Sequence, residues 1–227
     1  MAELTEGEKA NNNFFGNSVG IHMQLDELKV YLNEVHSFIK ITNLNLQSDR
    51  MKGLDSETLE NLKYHFEHTQ GEILRKSIII STVILLESEI DTYCKDFRKY
   101  KKIAVGYNEF KGDLLDKFKI FSSKLLQSDF NFQGALWQDV VGLYEIRNSL
   151  VHNCGLVSDF GKRKTIESFI SRNKSFKIDE NERICISHQD CIDSINIIET
   201  FFNDLTGFAL TVFPDKHQYI EDGKEPF

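Results

Sequence analysis

An all-α bundle of four or five main helices, with a small β-hairpin inserted before the last helix, is the fold class the sequence predicts. Three observations carry it. Apolar residues recur at spacings of three and four along most of the chain, the period of one helix face. Only two prolines occur, Pro214 and Pro226, both near the end, so long helices run uninterrupted. Apolar content of 41% and charged content of 27% are those of a globular chain, and 227 residues suffice to bury a full core as one domain.

The elements follow in order. Residues 1–17 are polar, Asn-rich and aperiodic, which predicts a loose N-terminal tail with Phe14 and Phe15 available to dock. Leu25, Leu28, Leu32, Val35 and Ile39 then give an amphipathic helix from Ile21 to near Leu46. Gly53 breaks the pattern, and Asp55 or Ser56 caps the next segment, with Glu57 in its first turn. That segment runs to Phe97 with Gly71 as its internal weak point, so it is either one very long helix or two that meet near Gly71. Residues 78–86 are apolar nearly all round, which suits a central buried helix and falls well short of the ~20 residues a bilayer span needs.

Residues 98–108 read as a basic loop, 114–126 as a helix through Leu115, Phe118 and Phe121, and 129–134 as a turn. Trp137, Val140, Val141, Tyr144 and Leu150 form the apolar stripe of the following helix. Beyond it, 166–170 forms a short helix. Residues 175–178 and 183–187 flank the polar turn Asp179-Glu180-Asn181-Glu182 as a hairpin. Ser187 with Asp190 three residues on resembles a capping box, and the last helix continues through Ile192, Ile195, Ile198, Phe202 and Leu205 toward Phe213, where Pro214 stops it. One helical domain over 18–213 is expected, between the tail 1–17 and a polar tail 214–227.

The stretch from Leu143 to Gly155 says most about function. Arg147, Asn148 and His152 interrupt its apolar pattern. Asn148 and His152, four apart, share a helix face, while Arg147 lies about 140° round and ~7.5 Å back from His152, within reach of a long side chain. Gly155 reads as the helix terminator, which places His152 in the last turn, at the carbonyl end of the helix dipole. An imidazole beside a permanent cation suits chemistry on phosphate. Cleaving RNA without a metal needs one group to take the 2′-hydroxyl proton, another to protonate the leaving oxygen, and a cation for the crowded phosphate. One helix supplies one histidine; two copies across a dyad supply two imidazoles and two guanidinia.

The string Arg147-Asn148-Ser149-Leu150-Val151-His152, followed by Asn153 and Gly155, resembles the R-x4-6-H motif of the HEPN superfamily, and the helical context extends the resemblance over roughly residues 70 to 210. Many members with this motif are metal-independent endoribonucleases of prokaryotic toxin–antitoxin and antiviral defence systems, acting as homodimers with a composite site. The resemblance implies Arg147 as phosphate clamp, His152 as general acid or base, and Asn148 as the group that orients the histidine or contacts phosphate. It also implies an assisting acid on the neighbouring helix, for which Glu87 is the first candidate and Glu89 the second. No cofactor and no metal are implied. The partners are an RNA substrate, a second copy of the chain and a protein inhibitor or activator. Other members are catalytically silent modules that bind a protein or nucleotide in a defence or regulatory complex, which is the alternative for this chain.

A net charge of −8 excludes a generic nucleic-acid coat protein, which needs a basic surface. Two local basic clusters remain, Arg98-Lys99 with Lys101-Lys102, and Lys162-Arg163-Lys164 just after the motif helix. The second is a candidate RNA-backbone contact or else a solvated loop. Cys94, Cys154, Cys185 and Cys191 form no CxxC pair, and the polar N-terminus carries no signal peptide, so free thiols in a reducing, cytoplasmic compartment and no membrane association are expected. His65 and His68, with Glu72 a turn on, have spacing that can bind a metal but lack the His-Glu-x-x-His pattern, and a solvated face explains them better. No Walker loop or dinucleotide-binding glycine fingerprint occurs.

Overall fold

The computed structural model describes residues 4–46, 53–127, 129–158 and 160–213. Among these it is an all-α protein with a two-stranded hairpin before the last helix, as the periodicity predicts. The helices are α1 (Glu6–Leu46), α2 (Ser56–Tyr64), α3 (Gly71–Tyr100), α4 (Leu114–Leu125), α5 (Ala135–His152), α6 (Arg163–Arg172) and α7 (His188–Val212). Strands β1 (Lys177–Ile178) and β2 (Ile184–Cys185) lie between α6 and α7 and pair antiparallel, with Lys177 opposite Cys185 and Ile178 opposite Ile184. No helix among the described residues is long and apolar enough to cross a membrane. The expected polar tail 214–227 lies outside the described residues.

The chain divides into two compact units. One comprises Met1–Met23, Leu85–Val140 and Ile198–Phe227, the other Gln24–Ile84 and Val141–Ile197.

In the first unit, helix α1 begins at Glu6, inside the stretch expected to be a loose tail. Two interactions with residues far along the chain explain it. Phe14 is fully buried, with its ring 4.8 Å from Phe97, 5.4 Å from Tyr93 and 5.7 Å from Phe213. Asn13 and Asn17, one turn apart, both donate to the same carboxylate oxygen of Asp96, at 2.7 and 2.8 Å. The asparagines that read as disorder in sequence are therefore a paired clamp on α3. A second aromatic cluster joins Phe118 of α4 to Phe132, Trp137 and Phe201. The hydroxyl of Tyr93, buried in the first cluster, shares a 2.7 Å hydrogen bond with Thr206 of α7.

In the second unit the buried apolar residues of α1 are Leu25, Leu32, Ile39 and Leu46, with Asn43 the buried polar one. Seven-residue spacing makes this a narrow seam and leaves Tyr31, Phe38 and Ile41 exposed on the remaining faces. Asp55 caps α2, its side chain accepting from the Thr58 amide at 2.8 Å. Between α2 and α3 the helical path widens into a π segment, His65–Gln70, which ends at Gly71. The choice between one helix and two thus resolves as a continuous helical path with one widened segment, His65–Gln70. Ile78, Ile79 and Val83 are buried as expected of the apolar run, but Ile84 stays half exposed.

Helix α5 passes α6 without clearance: a methyl group on Gly142 would lie 2.4 Å from Cβ of Phe169. Ser187 and Asp190 cap α7 reciprocally, the Ser187 amide donating to Asp190 Oδ2 at 2.6 Å and the Asp190 amide to Ser187 Oγ at 3.1 Å.

Gly142→Ala is expected to lower stability by about 1–3 kcal/mol, the usual cost of forcing an extra carbon into a packed contact, read as a fall in the urea midpoint. Gly161→Ala, at a glycine with open space around its Cβ position, serves as the control and should leave that midpoint in place.

Burial pushes the Cys191 thiol and the Tyr93 hydroxyl each up to about 12, above their ordinary values of 9.0 and 10.0. The folded chain holds protons that the unfolded chain releases, so stability is intact below pH 9 and declines as pH rises toward 12. Thermal melts across that range test the slope, and Cys191→Ala should make it shallower without moving its onset, because the Cys94 and Cys185 thiols are also raised by burial.

Candidate active site at the end of α5

Helix α5 carries the three residues singled out in sequence. Arg147 and Asn148 are half buried and His152, the last residue of the helix, is exposed. Val140, Leu143, Ile146 and Leu150 are buried on the same helix, which fixes how its polar residues are presented.

The chain turns immediately after His152. Cys154 and Gly155 take φ of 52° and 82°, and the amides of Asn153 and Gly155 both donate to the Ser149 carbonyl at 2.9 Å. Gly155 ends the helix as predicted, but Cys154 shares the left-handed turn, a conformation non-glycine residues seldom adopt. The hairpin region then locks the turn. Ile184 donates its amide to the Gly155 carbonyl, and Val157 donates to the Glu182 carbonyl, each at 2.9 Å. The Leu156 carbonyl accepts from Ser149 Oγ at 3.2 Å and from Asn153 Nδ2 at 2.8 Å.

Within this frame Arg147 Nη1 donates to Asn148 Oδ1 at 3.0 Å. Asn148 Nδ2 points toward Glu145 Oε2 at 3.4 Å, long for a hydrogen bond. Glu145 is only 5% exposed, and the ammonium of Lys162 lies 3.9 Å from its other oxygen. A carboxylate so buried is tolerated only with partners, so Glu145 draws the Asn148 amide and Lys162 toward α5. Asn148 is spent on Arg147 and Glu145, so its amide supports the arginine rather than the imidazole. His152, one turn on and about 6 Å along the axis from Asn148, carries its ring into solvent.

Glu145 escaped the sequence reading although its signal was present: it falls in the apolar stripe, four residues after Val141 and three before Asn148, where a carboxylate has to be answered. The basic run after the helix divides. Arg163 bonds to Glu182 at 2.6 and 3.2 Å and to Glu167 at 2.7 Å, which fastens α6 to the hairpin, whereas Lys162 and Lys164 are exposed. Glu87 and Glu89 of α3 are half buried and belong to the first unit, whereas Arg147, Asn148 and His152 belong to the second. Burial pushes the Glu89 carboxyl above its usual range.

His65 and His68 lie on the π segment, His65 beside the Gln70 amide at 3.1 Å and His68 against the Tyr64 ring at 4.8 Å. Among the described residues no three histidine, cysteine, aspartate or glutamate side chains group as metal ligands. All four cysteines are unpaired, Cys94 and Cys191 buried, Cys154 and Cys185 exposed. Compared with family models, curated proteins and solved structures, the chain matches none.

Glu145→Ala leaves the Asn148 amide without its buried acceptor and should cost about 1–3 kcal/mol in urea unfolding, while Glu145→Gln, which keeps an acceptor oxygen, should lose less. Equal midpoints for the two variants and the parent would remove Glu145 from this account.

Proposed function

We propose that the chain is a metal-independent, HEPN-type endoribonuclease of a prokaryotic defence or toxin system, cutting RNA by attack of the 2′-hydroxyl on the adjacent phosphate. One observation carries the reading: the end of α5 joins a guanidinium held by the Asn148 amide to an exposed imidazole one turn later. The arginine clamps the phosphate and offsets the charge that builds on it in the transition state. His152 takes or returns the proton. The reaction needs two proton transfers, and one α5 end carries one imidazole, so the complete centre requires a second copy of the chain. Lys162 and Lys164, exposed next to this end, extend the positive surface along the RNA backbone.

The test is cleavage of mixed RNA by the purified chain in the presence of a chelator. Fragments with 2′,3′-cyclic phosphate ends are expected. Arg147→Ala and His152→Ala should each slow cleavage by about 10²–10⁴, the usual contribution of a positioned proton-transfer group or oxyanion partner. Sedimentation should find a dimer for parent and variants alike. Undiminished cutting by both variants, or intact RNA with a dimeric parent, defeats the assignment.

A further inference from the structure

A cavity of about 340 Å³ in the second unit is separate in its lining from Arg147, Asn148 and His152. It is built from α1, the π segment, α3 and the first residue of α7. Its walls are of two kinds. Leu32, Ile39, Leu44 and Leu74 supply an apolar surface, and Lys40, Arg75, His36 and His188 supply nitrogen. Glu67 is the carboxylate of the lining and is exposed at its edge.

Three features mark this as a built site. Asn43, 6% exposed, lines the cavity with its Oδ1 buried and lacking any hydrogen-bond partner. Arg75 Nε and His188 Nδ1, also in the lining, are buried without partners too. A buried amide and two buried ring or guanidinium nitrogens left unmatched in one cavity each forfeit a hydrogen bond that a ligand can restore. Gly71 makes the third feature possible. It ends the π segment, and a methyl there would lie 2.8 Å from Nη1 of Arg75, so the missing side chain is what lets the guanidinium lie against the helix. The rings of His36 and His188 meet at 4.4 Å between centroids. Burial, then His36 and Arg75, hold His188 below its ordinary range, the response of an imidazole in a positive, partly dry pocket.

We propose that this cavity binds a phosphate monoester carried on a compact apolar or aromatic body. The charge set selects the head group. Arg75 presents a planar fork, with Lys40 and the two imidazoles able to reach further oxygens, more donors than one carboxylate can use. The apolar wall selects the body. The volume lies in the range of roughly 300–1,000 Å³ typical of small-molecule sites, more room than a bare oxyanion fills, and four aliphatic side chains favour a ligand that removes apolar surface from water. The Asn43 amide, deep in the wall, takes a polar group of that body.

The experiment titrates the full chain by calorimetry with phenyl phosphate, inorganic phosphate and benzoate, following the imidazole proton signals of His36 and His188 in parallel. Phenyl phosphate is expected to bind about tenfold or more tightly than either of the others, moving both imidazole signals with the calorimetric midpoint. Arg75→Ala should weaken it at least tenfold. Asn43→Leu, close in size and apolar, removes an amide that a phenyl ring does not use and should bind phenyl phosphate within about twofold of the parent, so that a loss in Arg75→Ala cannot be laid to disturbance of the cavity wall. Equal binding of the three anions, binding that Arg75→Ala retains, imidazole signals that stay still, or no binding of phenyl phosphate at millimolar concentration overturns the proposal.

Discussion

The end of α5 is held by a network of backbone and side-chain hydrogen bonds, and the presentation of Arg147, Asn148 and His152 depends on that network. Ser149 receives two amides on its carbonyl and donates its hydroxyl to Leu156. Gly155 and Val157 join the chain at β2 and the hairpin turn, and Arg163 fastens the start of α6 to Glu182 in the same turn. Helix end, hairpin and α6 are thus one hydrogen-bonded assembly. A histidine at a frayed helix end wanders over several ångströms; one at an end knotted in this way projects from a fixed point. The hairpin, two residues per strand, is too small to stand alone, and its evident use is to pin that end.

Much of the architecture was legible in the chain because it rests on local rules. Asp55, Gly155 and the Ser187–Asp190 pair each act on backbone groups within a few residues, and their spacing alone announces them. The parts that were not legible rest on distant partners. Asn13 and Asn17 look like loop formers until Asp96, some eighty residues away, is brought beside them. Arg163 looks like a phosphate ligand until Glu182 appears across the hairpin. The start of α1 was hidden for a further reason: its buried residues follow a narrow seven-residue seam, and Phe14 is the sole large apolar member of that seam ahead of Ile21. Of the candidate site, the sequence showed the three named residues and their shared helix end. It did not show that Asn148 would be taken up by Arg147 and by a buried Glu145, since a side chain's choice between neighbours is settled by packing.

Net charge and local charge point in different directions here. The chain carries eight more acidic than basic residues, and many of its cations are answered by carboxylates: Lys9 by Glu6, Lys95 by Asp91, Arg163 by Glu167 and Glu182. Exposed pairs of this kind contribute little to stability, but they remove positive potential from the surface. Against that background, positive charge gathered without a matching number of acids stands out as selective.

The second unit does this twice, by different means. At the end of α5, Arg147 and Lys162 accompany the buried Glu145 on the helix that the exposed His152 closes, which under the proposed function suits a long, flexible polyanion arriving from outside. In the cavity between α1 and α3, Arg75 and two imidazoles converge over aliphatic walls, with their one carboxylate, Glu67, at the exposed edge, which suits a small anion taken inside. Desolvation separates the two settings. An exposed cation attracts phosphate weakly and at long range, whereas one lying against leucine and isoleucine has already lost part of its water, so an anion that reaches it regains more than it gives up. Under the two proposals made above, an acidic chain with both arrangements repels bulk nucleic acid over most of its surface and admits phosphate at defined places.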